Sequence, residues 1–219
     1  MRRSVRRLAF SLVMMLMLAP LSVTHGAGPA TITYRRVFKG SSPELIEIKI
    51  TEPGKATFEI RQLDEDADPE PFEVGPPVRQ KILELASDLK NFAISNLDVQ
   101  KRLANLGQKT FRYEQGAEVH ETTFNYTLNS SANQLMQIFE GLARQQGDLV
   151  LLQRSVKYDR LGVNDGLRQF EADMDNRLLP EPERLLPVLD QIAGDSHFVE
   201  IARTRARALA ERIRNSRPH

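Results

Sequence analysis

Asp64, Asp66 and Asp68 stand at alternate positions, the opening pattern of a calcium loop, which needs oxygen ligands at its first, third and fifth places. The pattern stops there. Pro69 occupies the place where a glycine makes the sharp turn, and Gly75 the place of the bidentate glutamate, so the segment reads as a solvated acidic loop. His120-Glu121 has the beginning of a zinc-protease helix, but Phe124 stands where the second imidazole must be, and the segment alternates like a strand. Without two imidazoles one turn apart there is no zinc-binding face. His197 falls in a turn between helices and His219 is the last residue given.

Ser87 and Lys90 have the Ser-x-x-Lys spacing in which a lysine takes the proton of a nucleophilic hydroxyl, but the Ser-Asp-Asn and Lys-Thr-Gly elements that accompany it in penicillin-recognising enzymes are absent. No Gly-x-Ser-x-Gly elbow, phosphate-binding loop or dinucleotide fingerprint occurs. The chain has 29 acidic residues, and nothing in their spacing selects a pair for acid/base work. It has no cysteine, which excludes disulfides, thiolate metal sites and thioether lipid attachment. No catalytic residue, metal ligand or cofactor is therefore assigned from the sequence.

The strongest charge bias lies near the end of the chain, where Arg203, Arg205, Arg207, Arg212, Arg214 and Arg217 face only Glu200 and Glu211. Arg203, Arg207 and Arg214 are the candidate binding residues. Their functional reading is contact with something anionic, either an acidic protein, lipid headgroups or lipopolysaccharide. The plainer reading is a solvated face whose arginines pair with acids such as Asp173 and Asp175.

Residues 1–27 read as an export signal: Arg2, Arg3, Arg6 and Arg7 precede an apolar run from Leu8 to Ala19, then Pro20 and small residues to Ala27. The cleavage site is expected between Gly26 and Ala30. A twin-arginine route and an uncleaved anchor are the alternatives. Removing the signal takes four arginines and no acids from 30 basic and 29 acidic residues, leaving a net charge of about −3. That balance gives the exported form no overall drive toward nucleic acid. No other segment is apolar enough to span a membrane, so the location expected is periplasmic or extracellular.

The elements that must position these residues change type along the chain. From Thr31 to Leu128 the period is mostly two, the mark of strands with one covered face. Ile32 and Tyr34 begin a strand; Ile46, Ile48 and Ile50 alternate with polar residues up to a turn at Glu52–Lys55, and Phe58 and Ile60 continue beyond it as a hairpin. Pro76-Pro77 opens a helix with Val78, Ile82, Leu85 and Leu89 in one stripe. A short helical piece is expected around Leu97–Leu106, ending at Gly107, and a second hairpin turns at Gly116. After Asn129-Ser130-Ser131 the period becomes helical: Leu135, Ile138, Leu142, Leu149, Leu152 and Val156 keep a stripe broken by Gln145 and weakened near Gly147. Val163, Leu167, Phe170 and Met174 make another, with Asn164 as its cap. A helix over Leu185–Ile192 is expected to be strained or shifted by Pro187, and the last carries Val199, Ala202, Ala206, Leu209 and Ile213. The strings Arg177–Pro180 and Arg184–Pro187 match, but seven residues apart is too close for a solenoid repeat.

The run Ala104–Glu114, then Phe124-Asn125-Tyr126-Thr127 and Leu135 to Phe139-Glu140, resembles a group of uncharacterised secreted bacterial proteins. In that group a hairpin with a glycine turn, a helix, a second hairpin and a closing helix recur. The resemblance covers about residues 31–145 and implies an exported α+β module with no particular activity.

The expected fold is thus α+β: an antiparallel sheet with one main packed helix over 28–130, then a helical region over 131–219. Two functions are expected from different classes. One is a non-catalytic envelope or extracellular module that binds a protein or anionic envelope partner through its helices or a sheet edge. The other is a small hydrolase whose carboxylates and histidine converge only in three dimensions.

Overall fold

A computed structural model describes residues 28–94, 96–99 and 103–216; residues 1–27, read above as an export signal, and Arg217 and His219 lie outside the described residues. Six strands form one antiparallel sheet: β1 (Thr31–Val37), β2 (Leu45–Thr51), β3 (Lys55–Arg61), β4 (Glu70–Glu73), β5 (Gln108–Gln115) and β6 (Glu118–Phe124), in the spatial order β4-β3-β2-β1-β5-β6. The first four strands step outward from β1. The chain then leaves the sheet through helix α1 (Pro76–Asp88) and returns on the other side of β1 as β5. Alternation decides which face is covered. Ile32, Tyr34, Ile48, Phe58, Phe111 and Tyr113 point into the core, while Thr33, Arg35, Lys49 and Arg112 line the open face.

Helices complete the molecule: α2 (Ser130–Tyr158), α3 (Val163–Asp175), α4 (Leu186–Gly194) and α5 (Glu200–Asn215), with a 3₁₀ turn at Pro182–Leu185 leading into α4. Asn129 caps α2, its side-chain oxygen accepting from the Ala132 amide at 3.0 Å. From there α2 runs unbroken for 29 residues, about 43 Å at 1.5 Å per residue. Its first half covers the sheet together with α1: Phe139 stacks on Tyr34 with ring centres 5.4 Å apart, and Phe111 lies 5.6 Å from Tyr34. Its second half gives Leu152 to a separate core with Phe170, Leu189, Ile192 and Leu209. One helix therefore serves two cores. Buried Ala202 and Ala206 allow α5 to approach its neighbours closely. Among the described residues no helix is long and apolar enough to cross a membrane.

Several local expectations are corrected. Residues 96–99 and 103–107 form no helix; the side chain of Asn125 accepts from the Leu106 amide (2.7 Å) and donates to the Ala104 carbonyl (2.9 Å), occupying backbone groups a helix would use. The acidic loop ends in the short strand β4. Asn164 does not cap α3 but lies inside it and accepts from Arg205, while Asp159 accepts from the Gly162 amide at the helix entry. Pro187 sits in the first turn of α4, where its missing N–H costs nothing, and so starts that helix instead of straining it. Val199 precedes α5 as its cap residue and is exposed. At its end α1 passes into a single turn, Lys90–Phe92, whose φ angles of 52°, 50° and 68° are all left-handed.

Candidate functional site

The six-residue stretch after α3 decides where an open cleft forms. Helix α3 closes with the Asn176 amide donating to Ala172 O, Arg177 N–H to Met174 O and Leu178 N–H to Asp173 O, each at 3.0 Å. This is the 6→1 and 5→2 pattern of a Schellman stop, which places one residue in the left-handed region. Glycine is the residue suited to that place; here it is Arg177, at φ 55°.

The linker then lies across α2. A Cβ on Gly141 would come within 2.5 Å of the Leu178 carbonyl oxygen and 2.9 Å of Pro180, so the absence of a side chain permits the crossing. Between the helix and the linker runs a groove of about 550 Å³. From α2 it is lined by Gln134, Gln137, Ile138, Glu140 and Arg144, spaced to share one helix face, and from the linker by Asn176, Arg177 and Leu178.

The charges in the groove are unequal in their commitments. Glu140 accepts from the buried Tyr34 hydroxyl at 2.8 Å and lies 3.5 Å from the Arg36 guanidinium, so its charge is answered from the sheet. Burial, then the charge of Glu140, pushes the Tyr34 hydroxyl well above the ordinary phenol range. Arg144 reaches Asp173 at 3.4 Å and stays half exposed, while Gln169 donates to the other Asp173 oxygen at 3.0 Å. Arg177 is exposed and has no carboxylate within ion-pair distance among the described residues. The groove thus offers the guanidinium of Arg177, unpaired among the described residues, and the exposed part of Arg144, one nitrogen of which is held by Asp173, while the groove's one carboxylate is already engaged.

Behind Arg144 lies a buried polar layer. Burial raises the Asp148 carboxyl to about 7, helped by the neighbouring charge of Asp173 and opposed by Arg144. Asp148 does not line the groove. Gln145, fully buried, accepts from the Glu181 amide at 2.8 Å; the residue that interrupts the apolar stripe of α2 is a tether to the linker.

The residues singled out in the sequence are dispersed. Arg203, Arg207 and Arg214 do share one face of α5, yet Arg203 is paired with Glu200 at 2.8 Å and Arg214 with both oxygens of Asp190 at 2.6 and 2.7 Å. Arg207 alone of the three is exposed without a carboxylate partner among the described residues. On the other side, Arg205 meets Glu171 at 3.1 Å and Arg212 meets Asp175. Asp173, named with Asp175 as a partner for these arginines, turns instead to Arg144 and Gln169.

His120 lies on the covered face of edge strand β6, 3.5 Å from Glu118 and stacked near Tyr113, while Glu121 is on the open face with Arg112. His197 pairs with Asp195 at 2.7 Å in an exposed turn. Asp64, Asp66 and Asp68 are exposed in their loop, and among the described residues no group of three His, Asp or Glu side chains is placed to hold a metal ion. Ser87 is exposed on α1 and Lys90 lies beyond it in the left-handed turn.

Arg144 and Arg177 were not singled out by sequence. The repeated Arg-Leu-Leu-Pro string did include Arg177, but its two copies differ in conformation, one closing α3 and the other opening α4. No family model and no curated protein matches this chain.

Proposed function

We propose that this is an exported, non-catalytic binding module whose ligand site is the groove between α2 and the 176–180 linker. The observation that carries the reading is Arg177: an arginine occupies a left-handed position suited to glycine, at the rim of an open groove that a second arginine lines. A residue kept in a costly conformation at a cleft is accounted for by what its side chain does there. Export is supported by the composition of residues 1–27, and the partner is a protein or an anionic envelope component. The hydrolase reading needs a histidine and two acids in one cleft. His120 has one acid beside it, and the buried Asp148 does not line the groove.

A photocrosslinking residue at Gln137 in the full chain, expressed in its own host, tests this. An adduct from position 137 that disappears when Gln134→Trp fills the groove, and that does not form from Thr123 on the open sheet face, is the expected result. Equal adducts from both positions, or none from position 137, would overturn it.

A further inference from the structure

Resting on that reading, we infer that the groove binds the free C-terminal carboxylate of a short peptide. Three features of its walls select this chemistry together. Arg177 presents a planar, two-pronged donor with no carboxylate of its own among the described residues, and Arg144, tied to Asp173 through one nitrogen and half exposed, adds its remaining N–H groups; a carboxylate is the group that a guanidinium fork matches in both shape and charge. The groove's own carboxylate does not compete, because Glu140 is held by Tyr34 and Arg36.

Gln134, Gln137 and Asn176 add three side-chain amides: Gln134 and Asn176 each donate one N–H, to Ser130 Oγ (3.1 Å) and to the Ala172 carbonyl (2.8 Å), and each keeps a second N–H and its oxygen for a ligand. A bare anion leaves that pairing capacity unused, whereas a peptide bond carries the complementary donor and acceptor. Ile138 and Leu178 supply an apolar wall for a terminal side chain. A volume of about 550 Å³ is in the range of small-ligand sites, enough for a few residues and too small for a folded partner. Capture of a chain end by its carboxylate is an established mode of peptide recognition.

The test uses a pool of acetylated tripeptides randomised at every position, with free C-terminal carboxyls, and the same pool amidated. Each is equilibrated by dialysis against the protein recovered from its host, with inorganic phosphate as a third probe. Members of the free-acid pool are expected to be retained, and their amides at least tenfold less, because an amide keeps the shape but loses the charge that strengthens the bond to a guanidinium. Arg144→Gln and Arg177→Gly should each lower retention about tenfold.

Arg177→Gly carries a second readout. By relieving the left-handed strain, less the greater chain freedom of glycine, it should raise the melting temperature by about 1–2 °C, so that loss of retention is not loss of fold. Equal retention of acids and amides, retention unchanged in Arg144→Gln, or displacement of every peptide by phosphate alone would overturn the peptide assignment. A groove-dependent adduct from position 137 with no tripeptide retained would remove the ligand class and leave the binding reading standing. Absence of both would remove both.

Discussion

The Gly75 amide donates a hydrogen bond of 2.6 Å to a carboxylate oxygen of Glu181, a residue 106 positions further along the chain. Gly75 is the cap residue of α1, no side chain of its own segment caps that helix, and Pro76 and Pro77 have no N–H to offer. Glu181 thus supplies a capping carboxylate from the helical half, where the positive end of the α1 dipole favours it. The same residue donates its own amide to Gln145 of α2. Three elements from both cores meet at one residue.

Glu181→Ala should cost about 1–2 kcal/mol, because it leaves a half-buried amide without its acceptor and uncaps α1 together. Gly75→Ala should also destabilise, since a Cβ there collides with the Glu181 carboxylate. The two changes share one cause, and the double variant should lose less than the sum. Urea unfolding midpoints of the three variants measure this; strict additivity would show that the two residues do not act on each other.

Asp148 gives a pH dependence whose sign runs opposite to that of a salt-bridged acid. Its carboxyl titrates near 7 in the folded protein, raised from 3.8 by burial first and then by Asp173, with Arg144 opposing and Gln169 engaged on Asp173. The folded state therefore holds a proton that the unfolded state releases, and the stability tied to this group is lost as pH rises from about 4 to about 7. Asp148→Asn should match the wild type near pH 4 and exceed it by up to about 4 kcal/mol at pH 8, the linkage value for a carboxyl that titrates near 7 instead of 3.8. Unfolding midpoints across that range decide it; a constant difference would mean Asp148 does not titrate there.

Lys109 lies among backbone oxygens, its ammonium donating to Leu106 O (2.9 Å), Gly107 O (3.1 Å) and Asn125 O (2.9 Å). Burial lowers its pKa, and the charges of Glu140 and Asp98 work against that fall. Lys109→Met keeps the stem and leaves three carbonyls without their donor, so a loss of about 2–4 kcal/mol is expected. Amide hydrogen exchange should quicken first at Leu106, Gly107 and neighbouring positions. Unchanged exchange there would show that the ammonium does not hold this loop.

The turn Lys90–Phe92 places three successive side-chain-bearing residues at left-handed φ, which costs about 1–2 kcal/mol at each. Phe92 repays part of this by stacking on Phe111 with centres 5.2 Å apart. Lys90 is exposed and gains nothing comparable, so Lys90→Gly should stabilise by about 0.5 kcal/mol after the greater chain freedom of glycine is deducted. Calorimetry should show a higher melting temperature for Lys90→Gly and a much lower one for Phe92→Gly.

What was legible in the sequence depended on whether partners were local. The hairpin of β2 and β3 follows from Ile46, Ile48 and Ile50 alternating up to Pro53-Gly54, and the start of α2 from Asn129; both signals lie within a few residues. The continuity of α2 was obscured at Gln145, because a buried glutamine is tolerable only with a partner, and that partner is 36 residues away. The groove was illegible for a similar reason. Arg144 is an ordinary mid-helix residue and Arg177 an ordinary loop residue until the linker crosses α2 at Gly141 and sets them along one cleft.

The division of α2 between two cores also bears on the order in which the chain is made. A ribosome releases the amino end first, so all six strands are synthesised before Phe139 and Leu142, and the strand residues they cover, Tyr34 and Phe111 among them, have only α1 and the turn that carries Phe92 for shelter in the meantime. During that interval the nascent chain presents an adhesive surface, the kind that holding chaperones recognise. The interval closes only when the helix that finishes the sheet has emerged, and the same helix is then the template for α3 and α4, on which α5 packs in turn.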